Sequence, residues 1–232
     1  MAGLSPGRSS LSSSTKPPGS GFLAGYRGRT GDPRTLFLPY PPRVATTNGD
    51  WAYGLAGELL RDSLPRRWAH TQGVAACARM TAPLVGADAE VLESAAVLHD
   101  IGYAPPLVHT GFHPLDGARY LRDTHAADER IVRLVANHTY ALLEAEERSL
   151  RDELVDEFPL LDDPLLVDAL VYCDMTTTPD GRRTTSEERL SEILGRYGED
   201  SVVGRFIRRA TPHIHASVDR VRAAAAEAGV AL

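Results

Sequence analysis

A histidine and an aspartate stand side by side at positions 99 and 100, at the end of a nearly apolar segment. Within 91–98 only Glu93 and Ser94 are polar, so the pattern predicts a helix buried on most sides. Burying an imidazole and a carboxylate without partners is costly. A bound cation satisfies both, and the partial negative charge at a helix C-terminus favours one there. The bland alternative is a core histidine beside a loop-capping aspartate. Gly102 is placed to stop this helix, and Pro105-Pro106 prevents its resumption.

Four further residues repeat the theme. His70 falls on one helical face with Val74, Cys77 and Ala78. His113 precedes Pro114 at the start of another helix, and His109, four residues earlier in a loop, is its rival. His138 continues the stripe of Ile131, Leu134 and Val135, and Asp174 that of Leu166, Leu170 and Cys173. Each alone is explained by a satisfied core position. Together, six polar groups on core-facing stripes point to one shared metal centre. Imidazoles and carboxylates without thiolates suit Fe, Mn, Co or Ni, with Zn admissible. His125, His213 and His215 lack such a setting and are assigned to the surface or to structure.

The elements that must position these residues are helices. No strand period, internal repeat, glycine-rich phosphate loop or CxxC pair occurs, so the expected fold is an all-α bundle of about eight helices. Pro65 opens a helix through about 80, and Asp163-Pro164 opens one through 173. Thr185 with Glu188 makes a capping box. The charged stretch 144–157 reads as a solvated helical connection, and a last helical region over 201–228 is expected to break near Thr211-Pro212.

Composition bounds the rest. At 43% hydrophobic and 24% charged the chain has the balance of an ordinary globular protein. A net charge of -6 disfavours binding nucleic acid through a broad basic surface. No apolar run approaches the ~18 residues that span a membrane, and no secretory signal is expected. Two cysteines do not make a disulfide scaffold, which points to the cytoplasm. Residues 1–45 differ: 21 are Gly, Pro or Ser, and six basic residues face one acid, Asp32. A disordered or extended tail is expected there, with Leu36-Phe37-Leu38 and Tyr40 free to touch the body. The helical domain is then 46–232, with its motifs in 64–178 and C-terminal helices in 184–230.

Over 64–178 the sequence resembles the HD domain superfamily of metal-dependent phosphohydrolases. The carrying motifs are Arg67-Trp68-Ala69-His70, Leu98-His99-Asp100-Ile101-Gly102 and Tyr172-Cys173-Asp174. His113-Pro114-Leu115-Asp116-Gly117-Ala118 and Ala136-Asn137-His138-Thr139 are similar to the motifs of the subset that binds two metals. The resemblance implies that His70, His99, Asp100 and Asp174 hold one metal. His113 and His138 would hold the second, with Asp100 bridging and orienting the water. Two metals ~3.5–4 Å apart activate a water and clamp both oxygens of an in-line displacement. The implied reaction is hydrolysis of a phosphate ester or anhydride of a small molecule such as a nucleotide.

One departure matters. Many relatives carry a Lys just after the doublet motif, and this chain has Tyr103. Arg66, Arg67, Arg119 or Arg182-Arg183 could supply the missing cation. Arg67, one turn before His70 on the same side, is the favoured one. Tyr103, Thr176, Thr177 and Arg182 complete the candidate substrate contacts. Two other readings share the ligand set: a di-iron oxygenase, and a non-catalytic nucleotide-binding or regulatory module. The sequence leaves the oligomeric state open.

Overall fold

The computed structural model describes residues 49–232; the expected N-terminal tail, with 36–38 and Tyr40, lies outside the described residues. The helices are α1 (Gly49–Leu60), α2 (Pro65–Val85), α3 (Ala89–Leu98), α4 (His113–His125) and α5 (Glu129–Asn137). They continue with α6 (Ala141–Glu147), α7 (Arg151–Glu157), α8 (Pro164–Met175), α9 (Ser186–Tyr197) and α10 (Val202–Ala228). Short 3-10 turns join several of them, and no strand occurs among the described residues. The expected all-α fold is what the described residues adopt.

The apolar run at 91–98 becomes the centre of the bundle. α3 is packed by α1, α2, α5 and α8, and Leu92, Ala95, Ala96, Val97 and Leu98 have no exposed surface. Burial on this scale contributes ~1.5–3 kcal/mol for each large aliphatic side chain. His99 and Asp100 follow directly and are therefore held by the most buried element. A smaller core of Val171, Met175, Leu190, Ile193, Phe206, Ile207, Ala210 and Ile214 joins α8, α9 and α10 beside them. α8 and α10 are tied by Asp168 of α8, which accepts from Ser217 Oγ and bidentately from Arg220 of α10.

Local expectations at helix starts hold for chemical reasons. Asp163 and Thr185 accept from the Leu166 and Glu188 N–H groups, and Glu188 returns the bond in a full capping box. Three expectations need correction. The 144–157 connection is two helices, α6 and α7, and Glu144 in it is buried. α10 runs unbroken through Pro212. Pro212 is exposed, so the carbonyl it leaves unpaired can reach water. Gly102 does not stop α3, which ends at Leu98. A Cβ at Gly102 would lie 2.0 Å from the His113 carbonyl oxygen and 2.7 Å from the Gly117 nitrogen. Its missing side chain lets α4 approach the doublet.

Candidate metal centre

Helix ends bring the six residues together. His70 comes from the second turn of α2, His99 and Asp100 from the end of α3, His113 from the first residue of α4. His138 follows α5, and Asp174 is the penultimate residue of α8. Ligand atoms of His70, His99 and Asp100 lie within 4.8 Å of one another, and so do those of Asp100, His113 and His138. Asp100 is common to both groups, and its two oxygens divide the work. Oδ2 is 3.4 Å from His99 Nε2 and 3.9 Å from His70 Nε2. Oδ1 is 3.3 Å from His113 Nε2. Asp174 Oδ1 lies 3.1 Å from His70 Nε2 and 3.9 Å from His99 Nε2. Ligands bound ~2.1 Å from one ion stand about 3 Å apart, so these separations are close to the edges of coordination polyhedra.

The tautomers are set by the backbone. A carbonyl can only accept, so Nδ1 of His70 donates to Thr178 (3.0 Å), of His99 to Ala96 (2.8 Å) and of His138 to Val135 (2.7 Å). In the neutral ring each Nε2 then carries a lone pair, the arrangement that metal-ligating histidines use. His99 Nε2 is buried and has no hydrogen-bond partner. His138 Nε2 faces His113 Nε2 at 3.1 Å. The donor set and this orphaned nitrogen fit a divalent transition metal.

The electrostatics agree. Burial would raise Asp100, but Arg67 and His99 outweigh it and hold it well below the usual carboxylate range. Burial likewise opposes Asp174, and His70 and His99 pull it down. Burial pushes His113 down to about 3 and lowers His138, so both are neutral at neutral pH. His99 goes the other way: burial opposes its charge, yet Asp100 and Asp174 lift it to about 8. The space between these carboxylates therefore favours a positive charge.

Supports for the site come from outside the six. The loop after α8 lies on α2 so closely that a Cβ on Gly73 would meet Gly181 at 2.5 Å. Gly181 itself has φ +77, a conformation that glycine takes at little cost. This contact carries the Thr178 carbonyl to His70. Thr139, at φ 48, donates from Oγ1 to Asp174 Oδ2 at 2.5 Å. A β-branched residue in that conformation is strained, and the strain places a hydroxyl on a candidate ligand. Thr139→Val keeps the branching and removes the hydroxyl. Metal affinity is expected to fall about 10–100-fold, read by titration against a chelator.

A cavity of about 80 Å³ opens beside the six. Arg67 lines it, donating to Asp100 Oδ2 at 2.6 Å with its guanidinium 3.7 Å above the Tyr103 ring. Tyr103 lines it too and stacks on His113 at 3.9 Å. Thr176 and Arg182 do not. Thr176 is buried with its hydroxyl donated to the Tyr172 carbonyl, and Arg182 is exposed. Thr177 likewise donates to the Cys173 carbonyl. Arg119 is spent on Glu153 and Glu157, and Arg183 on Cys77 Sγ and Tyr172. His109 is exposed, which leaves His113 beside Asp100. His125, His213 and His215 stay outside both three-residue groups.

Residues 67–162 match the family model of the HD domain. That match supports placing this stretch in the HD superfamily. Five of the six residues lie in the matched stretch of the HD domain, and Asp174 lies beyond it. Nothing among curated proteins or solved structures matches the chain. HD domains belong mostly to metal-dependent hydrolases. The cavity is also walled by Glu144, Arg189 and Arg196, none of them singled out by the sequence. Burial raises the Glu144 carboxyl although Arg148 pairs with it. Glu144 sits in a charge-rich stretch and Arg189 in an amphipathic helix, so no sequence signal separated them from surface charges.

Proposed function

We propose that this chain is a metal-dependent phosphohydrolase that cleaves a phosphate ester or anhydride of a small molecule, with nucleotides the leading class. The observation that carries this reading is Asp100, whose two oxygens face different histidine sets. His70, His99, Asp100 and Asp174 would hold one metal, and Asp100, His113 and His138 the other. Two divalent ions from the set Fe, Mn, Co, Ni or Zn would supply Lewis acidity and water of lowered pKa.

The chain's own residues supply the rest. Among the described residues no serine or cysteine lines the cavity, and the hydroxyl of Thr139 there is donated to Asp174, which supports water as the nucleophile. Arg67, kept charged by Asp100 against its burial, neutralises phosphoryl charge in place of the family's lysine. Tyr103 holds the Arg67 plane on one face and the His113 ring on the other. Met175, Ile193, Phe206 and Ile207 form the apolar wall that limits water. No helix among the described residues is long and apolar enough to cross a membrane. The free, buried Cys77 and Cys173 support a reducing, cytoplasmic setting.

The test is metal analysis of the purified chain, then a phosphate-release screen over nucleotides and phosphomonoesters under anaerobic Mn loading. Release that stops on chelation is the expected result. Oxygen consumption by the iron-loaded protein with no phosphate release would replace hydrolysis by oxygenation. A protein that takes up no transition metal would sink both.

A further inference from the structure

Beside the metal centre lies a second, larger cavity of about 270 Å³. Arg66, Arg67, Arg189 and Arg196 line it, and no carboxylate does. The two cavities share Arg67, His70, Arg189 and Arg196 as walls. The carboxylates that pair with these arginines sit outside the second cavity: Asp180 on Arg66, Asp100 on Arg67, Glu192 on Arg189 and Arg196.

Arg189 is the residue that decides. Its side chain is only 7% exposed, yet its Nε has no hydrogen-bond partner. Glu192 takes Nη1 alone. A buried guanidinium N–H left unmet costs free energy. An oxyanion in the cavity that the Arg189 side chain lines meets the part of the fork that Glu192 leaves unfilled, because guanidinium groups bind phosphate through paired N–H donors. Four guanidiniums against three partner carboxylates leave an excess of positive charge, which concentrates anions there. Leu64, Pro65 and Pro179 are apolar, and the one hydroxyl in the lining, that of Ser63, donates to the Leu59 carbonyl.

We propose that the arginine-lined cavity is a second anion subsite, so that the substrate carries two phosphates. One would lie at the metals and be cleaved, and the other would be held by Arg189 and Arg196. This rests on the phosphohydrolase reading for the first phosphate only.

Two hydrolysis-resistant probes, methylphosphonate and methylenediphosphonate, test it by calorimetry on the full chain, metal-loaded and freed of excess metal. The parent protein prefers the diphosphonate by about tenfold or more. Arg196→Ala, at a partly exposed position, and Arg189→Lys, which keeps the buried charge, reduce that preference to about threefold or less. Methylphosphonate affinity falls by a smaller factor than diphosphonate affinity in both. A parent without preference, a preference untouched by both variants, or equal loss for both probes overturns the proposal. Phosphate release by a parent without preference would sink the second subsite and leave hydrolysis standing. A preference without phosphate release would sink the hydrolysis and leave the subsite.

Discussion

Asp100→Ala is expected to retain its helical spectrum while losing nearly all bound transition metal and all measurable hydrolysis. Asp100 is the residue both groups share, and removing it takes an oxygen from each. Without the carboxylate, His70, His99 and His113 face one another with less charge to hold a cation, and Arg67 loses its partner. Metal content should fall below about 0.2 equivalents per chain, because affinity follows the number of deprotonated ligands. Phosphate release should drop by about 10³-fold or more, since the nucleophile and the charge stabilisation go together. Asp100→Asn keeps the shape and is expected to show most of the same loss. Full metal content in either variant would place the metal elsewhere.

Gly102→Ala should give the second large effect, through packing. The added methyl would overlap the His113 carbonyl and crowd the Gly117 nitrogen, both backbone atoms that cannot rotate away. α4 must shift, which costs about 1–3 kcal/mol in an overpacked core. For a domain of this size that is a fall in Tm of about 2–12 °C. The shift moves His113 and leaves His70 and His99 in place, so under the two-metal proposal metal stoichiometry should drop from two towards one. Calorimetry and metal analysis read both quantities. Gly195→Ala is the control: nothing lies within 4 Å of that position, and removing a helical glycine raises Tm slightly. A Gly102→Ala protein with parental Tm and two metals would show that α4 is not held by this contact.

Much of the centre was legible because it is written in local periodicity. His70, His138 and Asp174 stand on stripes whose apolar members are buried, and helical spacing alone puts them on the core side. The doublet at 99–100 follows the most apolar run, which packing made the middle of the bundle. Capping chemistry at Asp163 and Thr185 was equally local. Thr176 and Arg182 misled because adjacency to Asp174 in sequence says nothing about which way a loop turns. Gly102 was read as a stop signal when its job is a contact fifteen residues away along the chain, with Gly117. Pro212 was read as a break because exposure to water, which relieves the lost hydrogen bond, is not visible in the local pattern.

By itself the sequence determined the helices, their buried faces and the residue types able to hold a metal, since these depend on neighbours within a turn or two. Only the tertiary structure decided that the two oxygens of Asp100 face different histidines, that Thr139 is strained onto Asp174, and that Arg189 and Arg196 of α9 face the cavity beside His70. Those relations join helices far apart in the chain. They are set by how closely two backbones can approach, and spacing along one helix carries no record of that distance.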